Sequence, residues 1–157
     1  MRTLSPTAVL AGLLALTLGA AAAPGKDKKD DKDDVKKMEG SWKVETWEQG
    51  GTALPAEGLE GSMWTVKGDK YTFTMGGNVE EGTFKLDPSK KPATIDLDIT
   101  AGNCKGNAQP GIYKIDGDKM TFCFNRPGGT GRPTEFKSTE EGDTFIVVTL
   151  KRHKKDD

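Results

Sequence analysis

From residue 41 the chain alternates between apolar and polar positions. Trp42, Val44 and Thr46 share one face of an extended segment (residues 41–48), and Lys43, Glu45 and Trp47 share the other. That period of two is what a half-buried strand imposes. Two similar hairpins follow. Met63–Lys67 and Lys70–Met75 flank Gly68-Asp69, while residues 111–116 and Lys119–Asn125 flank Gly117-Asp118. In each the glycine supplies the positive φ of a tight turn. Between the hairpins, residues 79–87 place Gly82, Phe84 and Leu86 on one face, the mid-strand glycine marking a bend. A proline-bounded turn leads to Ile95, Leu97 and Ile99 alternating with Asp96, Asp98 and Thr100, a strand with one dry and one wet face. A short strand is expected at 134–138 around Phe136. After a Gly142-Asp143 turn comes a last strand at 144–151, apolar on both faces.

Strands at this spacing, with turns joining neighbours and no long helical period among them, predict an all-β fold: a small antiparallel up-and-down barrel of about eight strands. Closure removes the open edges of a meander. The expected inward side chains are Trp42, Val44, Trp64, Val66, Tyr71, Phe73, Phe84, Leu86, Ile95, Leu97, Tyr113, Ile115, Met120, Phe122, Phe124, Phe136, Phe145 and Val147. A barrel of this size is either filled by its side chains or holds one small ligand. The many large aromatics leave both outcomes open. The ligand contacts expected in the second case are Trp64, Tyr71, Phe73, Phe84, Leu97, Tyr113, Phe122 and Phe136. The loop at 52–61, with Leu54 and Leu59, is long for a hairpin and suits a short helical turn or a lid over one mouth.

Ahead of the strands, residues 1–23 have the pattern of an export signal: Arg2, an apolar run from about Ala8 to Ala22, and small residues ending at Ala21 to Ala23. The run is too short and alanine-rich for a comfortable membrane span, so stable membrane insertion after cleavage is not expected. Residues 24–37, PGKDKKDDKDDVKK, form a charged linker. Its interleaved lysines neutralise the aspartates, which argues for a solvated spacer over a cation site. Its last part suits a helical turn in which Val35 and Met38 cover one end of the barrel, with Asp31 or Asp33 as cap. The domain proper is expected at residues 38–152, followed by a charged tail at 153–157.

A formal net charge of −1 over 157 residues gives no bulk attraction to nucleic acid or anionic lipid. Export would put Cys104 and Cys123 in a disulfide-permissive compartment. A bridge between them would close a loop of about 20 residues and stabilise by about 3 kcal/mol in the chain-entropy picture. The alternative is a buried Cys123 and a free loop Cys104. No catalytic set stands out. The one histidine, His153, lies in the tail, and no nucleophile motif or zinc-ligand spacing is present. Asp96 and Asp98, about 7 Å apart, fall on the outer strand face. Arg126 and Arg132 are candidate anion contacts at a barrel mouth, the simpler reading of Arg132 being an ion pair with Glu135. No cofactor is expected, and a monomer is.

Gly40-Ser41-Trp42 resembles the Gly-x-Trp of lipocalins, in which the tryptophan closes one barrel end beneath an arginine just past the last strand. Arg152 is the matching candidate. More closely, residues 38–152 are similar to an uncharacterised family of secreted lipocalin-like domains from planctomycete bacteria. The similarity is carried by Met38-Glu39-Gly40-Ser41-Trp42, Glu81-Gly82-Thr83-Phe84-Lys85-Leu86-Asp87-Pro88, Lys90-Lys91-Pro92-Ala93-Thr94-Ile95-Asp96-Leu97, Gly111-Ile112-Tyr113-Lys114-Ile115-Asp116-Gly117-Asp118 and Arg132-Pro133-Thr134-Glu135-Phe136. The resemblance implies a barrel with Gly40, Trp42 and Arg152 as its closure, and no activity. Cys104 departs from the family pattern. The function expected is an exported module binding a small apolar or amphipathic molecule in the barrel mouth. The alternative is a filled barrel that serves as a structural or protein-interaction domain.

Overall fold

The computed structural model describes residues 31–140 and 144–155. The export signal, the first part of the charged linker and the Gly142-Asp143 turn lie outside the described residues.

Helix α1 (Asp31–Met38) leads into β1 (Gly40–Gln49) and a two-residue strand β2 (Thr52–Ala53). A 3₁₀ turn at Ala56–Leu59 then precedes β3 (Met63–Lys67), β4 (Lys70–Met75), β5 (Asn78–Asp87), β6 (Ala93–Ala101), β7 (Ala108–Asp116), β8 (Lys119–Asn125) and β9 (Phe145–Arg152). Every pairing is antiparallel. β3 to β9 follow in sequence order, β1 lies beside β3, and a β1–β9 ladder closes the sheet. The result is an eight-stranded up-and-down barrel with β2 as an extra strand on the upper edge of β1.

One end of the barrel is sealed. Trp42 is fully buried and its indole N–H donates to the Met38 carbonyl at 2.7 Å. Arg152, the last residue of β9 and the register partner of Trp42, holds its guanidinium 4.2 Å above the Trp42 ring. The same guanidinium donates to the carbonyls of Glu39 (2.9 Å) and Lys37 (2.6 Å) and pairs with Asp118 at 3.2 Å. It thus serves the end of α1, where helix carbonyls lose their own partners, while making a cation–π contact. Gly40 takes φ +109°, and a Cβ there would meet the Arg152 guanidinium at 3.4 Å. That backbone region is open to glycine at little cost.

α1 is a full eight residues rather than a single turn, and Asp31, Asp33 and Asp34 lie inside its first turn, where they complement the helix dipole. Val35 and Met38 pack on the core. The buried Asp34 accepts the Tyr113 hydroxyl proton at 2.8 Å and pairs with Lys37 at 3.1 Å, tying helix to barrel.

Three expectations from the residue pattern are corrected. In β1 a bulge lies between Val44, which pairs with Leu150, and Thr46, which pairs with Thr149. The extra residue, Glu45, flips the alternation, so Trp47 sits opposite the inward Val148 and faces in. In β9 the inward set is Ile146, Val148 and Leu150, not Phe145 and Val147. Phe122 and Phe124 on β8 pair with Val148 and Ile146, and directly opposed residues share a face. The strand expected at 134–138 does not form. β8 and β9 pair along their whole length, leaving no slot between them, and the connection folds back outside the barrel.

That outer strap is held by named contacts. Arg132 donates to the carbonyls of Ile95 (3.2 Å) and Gly111 (2.9 Å) and pairs with Asp96 at 2.6 Å, not with Glu135. Asn125 donates to the Gly131 carbonyl at 2.6 Å. Ser138 donates to Glu48 at 2.7 Å and accepts the Gly51 N–H at 3.0 Å. Phe136 lies outside the barrel, 4.7 Å from the Lys114 ammonium, so it is no ligand contact. Beneath the strap, the outward register row Ile112, Cys123 and Val147 is covered. Cys123 is fully buried and its thiol donates to the Lys137 carbonyl at 3.8 Å. Burial pushes this thiol up to about 11, against the lowering effect of that hydrogen bond. Cys104 sits in the loop after β6. Both cysteines are free, so the bridge entertained from sequence is absent: one thiol lies under the outer strap and the other at the rim of the interior.

Candidate functional site

At the end opposite Trp42 the barrel holds a cavity of about 290 Å³. It exists because the strands deliver large flat rings to its walls and little to its centre. β1 supplies Trp47 through the bulge, β3 Trp64, β4 Phe73 and β8 Phe122 and Phe124. Leu97, Ile146 and Val148 complete the apolar lining. Trp64 is the hub. It stacks on Tyr71 at 4.4 Å with the planes 1° apart, and meets Phe73 at 5.7 Å and Phe122 at 5.2 Å in tilted contacts. Trp47 stacks on the other side of this group against Phe73, at 5.8 Å and 11°. Such offset and tilted arrangements contribute beyond burial alone and hold the rings in place.

The polar groups are few and converge. Glu80, the direct cross-strand partner of Phe73, lines the cavity and accepts the Tyr71 hydroxyl proton at 3.0 Å. Burial raises the Glu80 carboxyl above its ordinary 4.5, while the Tyr71 hydrogen bond pulls it back. Burial, followed by the neighbouring Glu80 charge, raises the Tyr71 phenol. The Trp64 indole N–H is buried without a hydrogen-bond partner. Gln109 lines the wall with its amide nitrogen tied to the Asn125 carbonyl at 2.7 Å. Gln49, Cys104, Arg126 and Pro127 form the rim, and Arg126 is exposed there. A shallower depression outside the rim shares Phe73, Glu80 and Cys104 with the cavity and includes Val79.

The cavity gathers four of the eight expected ligand contacts: Trp64, Phe73, Leu97 and Phe122. Tyr71 backs Trp64 instead of lining the space. Its ring lies over Gly82, where a Cβ would come within 2.7 Å of it. Phe84, two residues further along β5, is buried in the core below. Tyr113 is turned to the sealed end, where α1 claims its hydroxyl. Phe136 is outside for want of its strand. Trp47, Glu80 and Gln109 were missed. Glu80 was within reach of the pattern, since it precedes Gly82 by two on the same strand face; the bulge that turns Trp47 inward has no comparable signal.

Among the described residues, no group of three or more metal-ligating side chains comes together. His153 lies at the sealed end, its backbone N–H on the Ser41 carbonyl at 2.8 Å. Among the described residues, no helix is long and apolar enough to cross a membrane. Comparison with protein-family models, curated proteins and solved structures gives no match.

Proposed function

We propose that this protein is an exported binding module whose barrel takes up one small amphipathic molecule at the end opposite Trp42. The observation that carries the reading is the cavity of about 290 Å³, walled by Trp47, Trp64, Phe73 and Phe122 and furnished with the half-buried Glu80 carboxylate. Ligand sites combine apolar walls with a small number of placed polar groups, and this volume lies at the lower edge of their usual range of roughly 300–1,000 Å³. It suits a molecule built on one or two rings better than a long acyl chain. The sequence resemblance to secreted lipocalin-like domains, the leader-like residues 1–23 and an expected monomeric state belong to the same proposal.

Titration with 2-naphthol, a neutral amphipathic probe, followed by tryptophan fluorescence tests it. Saturable quenching at micromolar probe, lost when Ile146→Phe or Gln109→Phe fills the space, supports the reading. Quenching that never saturates, or that survives both fillings, overturns it. The competing reading, a filled barrel that meets a protein partner, draws on the exposure of Val79 (50%) and Leu54 (39%) near the same rim.

A further inference from the structure

We infer that the ligand is a small organic cation, a protonated or quaternary amine with an apolar body, seated against the wall of the Trp47, Phe73 and Trp64 rings with its charge on Glu80. This rests on the cavity being the binding site and goes on to name what the site selects. The wall formed by β1, β3, β4 and β5 is electron-rich throughout. Trp47 and Phe73 are nearly parallel, Trp64 closes on Phe73 at 47°, and Glu80 sits directly across from Phe73 in the β4–β5 register. Ring faces carry the negative end of the aromatic quadrupole, so three rings at an angle attract a cation and offer nothing to an anion.

The carboxylate strengthens the argument. Among the described residues, Glu80 accepts a single hydrogen bond, from Tyr71, and makes no ion pair. A carboxylate has about four acceptor positions, and even partial burial without a counter-charge is unfavourable. A ligand ammonium would supply the missing donors and the missing charge together. An acidic ligand would bring a second negative charge beside Glu80 in an apolar enclosure, which is costly. Among the described residues the one cation that lines the cavity is Arg126, exposed at the rim, where water and salt screen it. Arg126 is then a weak electrostatic gate rather than an anchor.

Three probes of nearly the same shape separate the possibilities: 2-phenylethylammonium, 2-phenylethanol and phenylacetate, titrated calorimetrically at neutral pH and low salt. The ammonium is expected to bind about tenfold more tightly than the alcohol, with phenylacetate weakest. Glu80→Gln should remove about tenfold of the ammonium affinity and so bring it close to that of 2-phenylethanol, and Arg126→Gln should tighten the ammonium modestly. The inference is overturned if the alcohol or the acid binds as well as the ammonium, if Glu80→Gln leaves the ammonium unaffected, or if Arg126→Gln abolishes phenylacetate binding that was the strongest of the three. In each of those outcomes 2-naphthol still decides the cavity reading by itself, so the two can fail separately.

Discussion

The two ends of the barrel are built from similar materials and finished differently. At the sealed end Trp42, Arg152, Tyr113 and Asp34 all find partners. The indole N–H meets a helix carbonyl, the guanidinium serves two carbonyls, an aspartate and a ring face, and the phenol meets a buried carboxylate. At the other end Trp64, Glu80 and Arg126 keep unused capacity among the described residues: an indole N–H without an acceptor, a carboxylate with one donor, and an exposed guanidinium without an ion pair. Unsatisfied buried polar groups are costly. Open capacity around a cavity, in the buried Trp64 N–H and the half-buried Glu80 carboxylate, is the pattern expected where a ligand completes the structure, and full pairing at the other end is the pattern of a fold-determining plug.

Truncation should therefore separate the ends by stability. Trp42→Ala is expected to cost about 3–5 kcal/mol, as large aromatic deletions in a close-packed core do. The same cost for Trp47→Ala, which lines existing space, would erase the contrast; a loss below about 2 kcal/mol is expected there, because the cavity is already open to water. Urea unfolding of both variants measures the difference. Next in size is Tyr113→Phe, which removes one donor from the buried Asp34 while Lys37 stays paired with it, and should lose about 0.5–1.5 kcal/mol.

A smaller effect concerns pH. Glu80 is raised in the folded state, so the native protein holds this proton more tightly than the unfolded chain does. Stability then falls as pH rises from the ordinary carboxyl value of 4.5 toward the raised folded value. Glu80→Gln removes that slope, so the melting temperature of the variant should gain on the wild type across this window and hold its advantage above it. A variant that instead loses ground with rising pH would show that the carboxylate already has a counter-charge.

The thiols give the last and mildest contrast. Cys104 at the rim should label with iodoacetamide in the native protein, while Cys123, buried under the strap with its thiol pushed up to about 11, should label on unfolding. Mass spectrometry would count one label before urea and two after; two before urea would mean that the strap at 131–140 opens readily.

Much of this architecture is visible in the residue pattern because it follows from alternation and turn chemistry. Gly68-Asp69 and Gly117-Asp118 mark both hairpins, and period two places Trp64, Phe73, Leu97 and Phe122 inside. The features that escape it are those in which one residue changes meaning through its neighbours. Trp47 turns inward because Glu45 is an extra residue against β9. Ile146 and Val148 are inward rather than Phe145 and Val147 because β8 sets the register of a strand apolar on both faces. Phe136 is strand-like in composition, yet the direct β8–β9 ladder excludes it from the sheet. Tyr113 and Trp64 look equivalent in sequence, and only the position of α1 shows that the tyrosine is already engaged.

The separation of a sealed end from a binding end is tested most directly by labelling the three tryptophans with 5-fluorotryptophan and following their ¹⁹F resonances during titration with 2-phenylethylammonium. The resonances of Trp47 and Trp64 should shift with one common saturation curve while that of Trp42 stays in place. A shift confined to Trp42, or equal shifts at all three, would contradict the account.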